Sequence, residues 1–176
     1  MLTVLGLLGN VAAGALAADG RFFWAGIVVL FSSALDMFDG ALARATGQAT
    51  PFGSVFDATI DRVSEAVVLF GLLLYFSDRG DRTEELLIFV AVVGSILVSY
   101  VRARAEIIGL TMKEGAFTRF ERVVLVGLGL IAAAVIDNDI LSYVLWVLAA
   151  LASFTAVQRL AIVWAKARDM NRGETN

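Results

Sequence analysis

Six apolar segments, separated by short polar turns, occupy most of this 176-residue chain. They cover residues 2–18, 22–43, 54–77, 85–108, 120–136 and 139–165. An α-helix needs roughly 20 mostly apolar residues to cross a bilayer, so these segments are of about spanning length. The chain is 59% hydrophobic and has a mean hydropathy of +0.82, which is typical of integral membrane proteins. The sequence therefore predicts an all-α integral membrane fold, with six transmembrane helices in a single domain over residues 1–176.

The composition excludes several kinds of functional site. The chain contains no cysteine and no histidine, so it has no disulfide, no imidazole base and no thiolate or imidazole metal ligand. Any bound metal must be held by oxygen, which favours magnesium, manganese or calcium. The pI of about 4.9 gives no support for nucleic-acid binding. No basic stretch precedes the first apolar segment, which we interpret as a span and not as a signal peptide.

Charged residues are distributed unequally between the two ends of the predicted helices. With the N-terminus in the cytoplasm, the outer turns carry only three of the 14 basic residues, Arg21, Arg79 and Arg82. All the others fall on the inner side, which is the positive-inside pattern. We therefore expect a plasma-membrane protein with both termini in the cytoplasm and its polar site open to the cytoplasmic side.

Four aspartates lie close together in an otherwise apolar stretch: Asp36, Asp39, Asp57 and Asp61. A carboxylate in or near hydrocarbon costs several kcal/mol unless a cation or donor offsets it, and neighbouring carboxylates also repel each other. Bound divalent metal satisfies both requirements. Because an arginine, Arg44, lies in the same stretch, the pattern also predicts a phosphate-bearing ligand.

These residues fall on one stripe of each of two predicted helices. The first stripe contains Asp36, Asp39, Gly40, Ala43 and Arg44, and the second contains Gly53, Asp57 and Asp61. A short segment joins the helices, so we expect them to be antiparallel neighbours whose stripes face each other. Glu65 continues the second stripe. It would either support the site by pairing with Arg62 or Arg104 or form a purely structural pair, and we favour the structural role.

Read in order, the two stripes form one signature. It consists of Asp, two residues, Asp-Gly, two residues, Ala-Arg, eight residues, Gly, three residues, Asp, three residues and Asp, and the chain fits it from Asp36 to Asp61. It resembles the signature of the CDP-alcohol phosphotransferases, the class I CDP-alcohol phosphatidyltransferases. The resemblance implies a membrane enzyme, usually a homodimer, that transfers a lipid phosphate group from a CDP-activated lipid to a small alcohol and releases CMP.

The resemblance also implies roles for the residues of the signature. Two Mg²⁺ or Mn²⁺ ions per protomer would be held by Asp36, Asp39, Asp57 and Asp61. Asp61 would also act as the general base toward the acceptor hydroxyl. The CDP pocket would be formed by Asp39, Gly40, Ala43, Arg44, Gly53 and Ser54. The donor would be CDP-diacylglycerol or CDP-archaeol, and the product would remain a membrane lipid.

A second resemblance concerns the acceptor. The stretches around residues 99–106, 119–122 and 158–160 are similar to those of the phosphatidylinositol phosphate synthase branch of the family. It implies inositol 1-phosphate as the phosphorylated polyol acceptor. Arg102, Arg122 and Arg159 match the positions that grip the acceptor phosphate in that branch, and Arg104 is a fourth candidate.

Two other functions are compatible with parts of the pattern. Basic residues at these positions also occur in phosphatidylglycerophosphate synthases, which use glycerol 3-phosphate. Carboxylates inside a membrane also mark ion-coupled transporters. A transporter usually has a related second half, and residues 85–165 contain no counterpart of the aspartate stripes. The transferase is therefore the favoured interpretation.

Overall fold

The computed structural model describes residues 2–45, 50–111 and 117–173, without the side chains of residues 2, 37–45, 169 and 171–173. The residues described form six α-helices and no strand. The helices are α1 Leu2–Ala18, α2 Phe22–Ala45, α3 Pro51–Ser77, α4 Arg82–Ile107, α5 Arg119–Val135 and α6 Ile140–Gly173. Each corresponds to one apolar segment, so the all-α prediction is confirmed.

Helix starts and turns follow from local residue chemistry. At the start of α3, Thr50 is the N-cap and accepts the backbone N–H of Gly53 at 3.0 Å, with Pro51 in the first turn. Gly20 and Gly80 have φ values of +75° and +73°, which other residues rarely adopt, and they close the turns after α1 and α3.

The six helices form a closed ring. Around it the order is α1, α2, α5, α6, α4 and α3, because each of these helices packs against the next and α3 packs against α1. In the part of the chain that the structure describes, α2 and α3 have little direct packing, since α1 lies between them. The packing of α1 between α2 and α3 was not predicted from the sequence. Asp36 of the first stripe nevertheless meets Asp57 and Asp61 of the second, as predicted.

Close helix approach is provided by glycines at the packing surfaces. A Cβ on Gly71 of α3 would lie 2.7–2.8 Å from the backbone C and Cα atoms of Gly14 on α1. A Cβ on Gly26 of α2 would lie 2.6 Å from the backbone oxygen of Gly127 on α5. Neither position accepts a larger side chain without separating the helices, so these glycines set the spacing of the ring.

Neighbouring contacts show that successive helices alternate in direction. The rings of Phe22 and Tyr75 lie 4.6 Å apart, which joins the start of α2 to the end of α3. Ser142 donates to Glu84 at 2.8 Å, which joins the start of α6 to the start of α4. The opposite end of the ring therefore holds the starts of α1, α3 and α5 and the ends of α2, α4 and α6. We call it the site end.

Two helices are long and apolar enough to cross a membrane among the residues described, Arg82–Ile107 and Ile140–Arg168. The stretches Thr3–Ala18 of α1 and Phe22–Asp36 of α2 are also apolar but shorter. The last helix also continues to Gly173, beyond the end at residue 165 that apolarity predicts. Polar residues can extend a helix past its apolar stretch because each backbone N–H bonds within the helix itself.

Candidate active site

Three of the four predicted carboxylates converge at the site end of the ring. Asp36 comes from α2, and Asp57 and Asp61 come from successive turns of α3. One oxygen from each carboxylate lies within 4.8 Å of the others. Asp36 is buried, with 8% of its surface exposed, while the two α3 aspartates are half-buried. Such a group of negative charges requires a cation, because mutual repulsion and desolvation both oppose it.

The geometry and chemistry of this cluster fit a divalent metal. All its donors are carboxylate oxygens, which Mg²⁺ and Mn²⁺ prefer. Ligands at about 2.0–2.6 Å from one ion lie at most about 4–5 Å from each other, which matches the observed spread. The Oδ1 atom of Asp36 is buried and has no hydrogen-bond partner among the residues described. A metal ion would satisfy that atom.

The remaining predicted residues of the signature divide into two groups. The side chains of Asp39, Gly40, Ala43 and Arg44 lie outside the described part of the structure. Gly53 and Ser54 lie in the first turn of α3, and Ser54 is exposed. Ser54 and Asp61 both line one cavity, so this end of α3 connects the carboxylate cluster to open space.

That cavity has a volume of about 580 Å³ and lies between α3, α4, α5 and α6. Each of these four helices contributes at least one arginine to its lining: Arg62, Arg102, Arg119, Arg122 and Arg159. The acidic residues on its lining are Asp61, Glu65 and Glu106. A cavity that joins a carboxylate cluster to several guanidinium groups suits a ligand that carries phosphate, because guanidinium pairs bidentately with phosphate oxygens.

The four arginines predicted to bind the acceptor phosphate have different surroundings. Arg159 is 5% exposed and donates to the backbone oxygen of Val98 at 2.9 Å, which connects α6 to α4. Arg102 is exposed and pairs with Glu106 at 3.0 Å. Arg104 is also exposed, lies 5.9 Å from the centre of the Tyr100 ring, and is not among the residues that line the cavity. The structure therefore brings Arg102, Arg122 and Arg159 together, but not Arg104.

Arg122 belongs to a buried ion pair that spans the ring. Its Nε and Nη2 atoms donate to the two oxygens of Glu65 at 2.6 and 2.9 Å, and its Nη1 donates to the backbone oxygen of Phe117 at 3.3 Å. Ser95 of α4 donates to Glu65 at 2.9 Å. Glu65 thus pairs with Arg122 and not with Arg62 or Arg104, and the pair joins two helices, in agreement with the structural role that the sequence favoured. The network fixes α3, α4 and α5 around the cavity.

Arg119 contacts the carboxylate cluster directly, which the sequence did not predict. Its Nη1 lies 2.7 Å from Oδ1 of Asp61 and 3.3 Å from Oδ2 of Asp36. Arg119 begins α5, whose start is fixed by a capping box in which Glu121 accepts the backbone N–H of Thr118 at 2.8 Å. The signal available in the sequence was the spacing of Arg119 and Arg122, three residues apart on one helix face.

A second, apolar cavity lies beside Arg119. It has a volume of about 350 Å³ and is formed between α2 and α5. Its lining residues are mostly aliphatic or aromatic, and Leu30, Phe120 and Val123 are examples. The carboxylate cluster is therefore flanked by one polar space and one apolar space, an arrangement that suits an amphipathic ligand.

Comparison with known proteins gives a consistent result. Residues 1–166 match the sequence model of the family described as CDP-alcohol phosphatidyltransferase. The chain is 38% identical to the phosphatidylinositol phosphate synthase of Mycobacterium bovis, with 98% of this chain and 82% of that protein aligned. It is 34% identical to the archaetidylinositol phosphate synthase of Methanothermobacter thermautotrophicus, with 94% of this chain and 82% of that protein aligned.

Solved structures agree with the sequence relatives. A crystal structure of the Mycobacterium tuberculosis phosphatidylinositol phosphate synthase with CDP-DAG bound has a TM-score of 0.85 and 38% identity. It aligns with 93% of this chain, over 84% of its own length. A second crystal structure of that enzyme, in complex with manganese and citrate, also has a TM-score of 0.85 and covers 93% of this chain and 80% of its own.

Proposed function

The chain belongs to the CDP-alcohol phosphatidyltransferase family, and on that basis we propose that it transfers a phosphatidyl or archaetidyl group to inositol 1-phosphate. The donor is CDP-diacylglycerol or CDP-archaeol, and the second product is CMP. The observation that carries the proposal is the connection between the carboxylate cluster and the arginine-lined cavity, with Asp61 contributing to both.

The arginines favour a phosphorylated acceptor. Arg102 and Arg159 approach the cavity from α4 and α6, and Arg122 approaches it from α5. Glu65 already neutralises Arg122, whereas Arg102 and Arg159 add guanidinium groups to the lining of the same cavity. Guanidinium pairs bidentately with a phosphate, and a neutral alcohol offers no such partner. The relatives named as inositol phosphate synthases support inositol 1-phosphate over glycerol 3-phosphate, which is the second candidate within the family.

The residues of the cluster have separable tasks in this reaction. Asp36, Asp39, Asp57 and Asp61 would hold two Mg²⁺ or Mn²⁺ ions per protomer. When bound, these ions neutralise the diphosphate charge and stabilise the leaving CMP. Manganese is present in a structure of the M. tuberculosis relative.

Asp61 is also the general base, which takes the proton from the hydroxyl of the acceptor alcohol. It lies on the wall shared by the carboxylate cluster and the cavity, so it can reach the hydroxyl of a polyol whose phosphate is held by the arginines. That hydroxyl oxygen then attacks the lipid-bearing phosphorus, and the bond between this phosphorus and CMP breaks. The proton remains on Asp61.

The nucleotide and the lipid occupy different surroundings in this proposal. Asp39, Gly40, Ala43, Arg44, Gly53 and Ser54 form the CDP pocket. Small residues on these stripes leave space for a flat ligand against the backbone. The apolar cavity beside Phe120 is a suitable place for the lipid part of the donor, because most of its lining is apolar and it shares Arg119 with the carboxylate cluster.

The proposal extends to the membrane arrangement. Six spans, with both termini and the site end of the ring in the cytoplasm, are supported by the alternation of the helices and by the inner location of most basic residues. The location is the plasma membrane, residues 1–176 form one domain, and the chain works as a homodimer without a nucleic-acid partner. The transporter alternative is disfavoured because the chain matches an enzyme family over residues 1–166.

The decisive experiment measures CMP release from CDP-diacylglycerol by the purified chain. We expect activity with inositol 1-phosphate that exceeds activity with glycerol 3-phosphate or serine. It should be abolished by EDTA and restored by Mg²⁺ or Mn²⁺. Asp61→Asn should lose turnover while it still binds CDP. CMP formation that is insensitive to both chelation and Asp61→Asn would refute the catalytic assignment, and activity with serine alone would refute the acceptor.

A further inference from the structure

The Arg119 guanidinium bridges two carboxylates of the cluster, as a bound cation would. A single nitrogen, Nη1, is 2.7 Å from Oδ1 of Asp61 and 3.3 Å from Oδ2 of Asp36. The side chain of Asp36 is 9% exposed and that of Asp61 is 22% exposed, so water screens this charge cluster only in part. Arg119 is therefore a positive charge built into the carboxylate cluster.

A metal ion and this guanidinium compete for the same two carboxylates. A bridging Mg²⁺ or Mn²⁺ lies about 2.0–2.2 Å from its carboxylate oxygens. An ion at that distance from the two oxygens that Nη1 contacts would lie within about 4 Å of this nitrogen. Two positive groups at van der Waals distance also repel each other strongly in a partly buried site.

Arg119 has space to move away from the carboxylates. Its side chain is 28% exposed and is less enclosed than that of Arg122, which is 3% exposed. Arg119 lines the 580 Å³ cavity as well as the apolar cavity between α2 and α5. A rotation of its long side chain therefore suffices, while the capping box keeps the start of α5 in place.

We propose that Arg119 and a divalent cation are alternative occupants of the position between Asp36 and Asp61, so that metal binding releases the Arg119 guanidinium into the adjacent cavity. This inference rests on the metal role assigned to the carboxylates above. It makes Arg119 a positioning residue whose location depends on the metal. Because the cavity is the space proposed for the acceptor, metal loading increases its positive charge.

The exchange couples the binding of the metal ion to the binding of the acceptor. When an anion in the cavity binds the released Arg119 side chain, the return of Arg119 to the carboxylates is disfavoured. The affinity of the carboxylates for metal therefore rises. By linkage, metal raises the affinity for the anion by the same factor. Removing Arg119 removes both the competition and this part of the coupling.

The test is a Mn²⁺ titration of the full-length, EDTA-treated chain in detergent, in which free Mn²⁺ is followed by its electron paramagnetic resonance signal. We expect Arg119→Gln to bind Mn²⁺ about tenfold more tightly than the wild type in the absence of acceptor, a coupling of ordinary size. Saturating inositol 1-phosphate should tighten Mn²⁺ binding several-fold more in the wild type than in Arg119→Gln.

Arg102→Gln is the matched control for this titration. Arg102 lines the same cavity and carries the same charge, but it pairs with Glu106 and not with the aspartates. We expect its Mn²⁺ affinity without acceptor to stay within about twofold of the wild type, because exposed charges are well screened. An equal effect of Arg102→Gln and Arg119→Gln would overturn the proposal, since it would show a general charge effect.

Thermal melting gives a second readout that does not depend on activity. Without metal, Arg119→Gln should melt at a lower temperature than the wild type, because its carboxylates lose their counter-ion. Saturating Mn²⁺ should raise its melting temperature by more than it raises that of the wild type. Equal affinities and equal melting shifts in the two proteins would overturn the exchange, whereas the absence of Mn²⁺ binding in the wild type would overturn the metal centre itself.

Discussion

The ion pair between Glu65 and Arg122 provides the most direct test of how the ring is held together. Both guanidinium nitrogens that face Glu65 are within 2.9 Å of its oxygens, and the two side chains are 11% and 3% exposed. Glu65→Gln removes the charge that neutralises a buried arginine. Removing one partner of a buried pair costs about 3–5 kcal/mol, and since glutamine keeps one acceptor oxygen we expect about 3 kcal/mol.

The corresponding change in melting temperature is measurable in detergent. A loss of about 1 kcal/mol lowers the melting temperature of a chain of this size by about 2–4 °C, so Glu65→Gln should melt roughly 6–12 °C below the wild type. Glu106→Gln is the matched control, because it also breaks an arginine–glutamate contact at 3.0 Å, but one whose side chains are more than half exposed. An exposed pair contributes about 0–1 kcal/mol, so the control should change by no more than a few degrees.

A double-mutant cycle separates the pair from its surroundings. If the ion pair is the source of the loss, Arg122→Gln combined with Glu65→Gln should be less destabilised than the sum of the two single variants. The reasoning is refuted if Glu65→Gln melts within a degree or two of Glu106→Gln. It is also refuted if the two single effects add without coupling, because the charge would then not be what holds these helices together.

Three further changes test separate parts of the structure. Asp57→Asn should weaken Mn²⁺ binding at least about tenfold, because one of three clustered carboxylates loses its charge; unchanged binding in the Mn²⁺ titration would contradict this. Gly71→Ala should lower the melting temperature by the equivalent of about 1–3 kcal/mol, because its Cβ would meet the backbone of Gly14, whereas Gly6→Ala should change little because its Cβ has only contacts of 3.5–3.9 Å. Arg159→Gln should raise the KM for inositol 1-phosphate about tenfold or more without changing the KM for CDP-diacylglycerol, and equal changes in both constants would argue against an acceptor role.

The sequence predicted the helices well and the order of their packing poorly. Helix positions follow from apolar runs and from local turn residues such as Gly20 and Gly80, which are properties of adjacent residues. The insertion of α1 between α2 and α3 depends instead on how surfaces fit, as at Gly14 and Gly71. A short connection between two helices limits their separation but does not exclude a third helix from the space between them.

The same distinction holds for the site. Asp57 and Asp61 could be placed on one face by helical spacing, and their meeting with Asp36 followed from the cost of isolated carboxylates in an apolar chain. The contacts of Arg119 and the partner of Glu65 could not be predicted, because each depends on a residue more than 50 positions away whose side chain has several possible neighbours. Long-range ion pairs are set by the packed ring and not by local spacing.

The order of charges along the chain has a consequence for biosynthesis. The clustered aspartates of α2 and α3 are made by residue 61 and Glu65 follows shortly after, whereas Arg119, Arg122 and Arg159 lie in the second half of the chain. Until α5 leaves the ribosome, the earlier helices must carry acidic groups into the bilayer without the arginines that pair with them. Nascent chains that stop after α4 should therefore be poorly retained in the membrane, and assembly of this protein becomes complete only when its final two helices arrive.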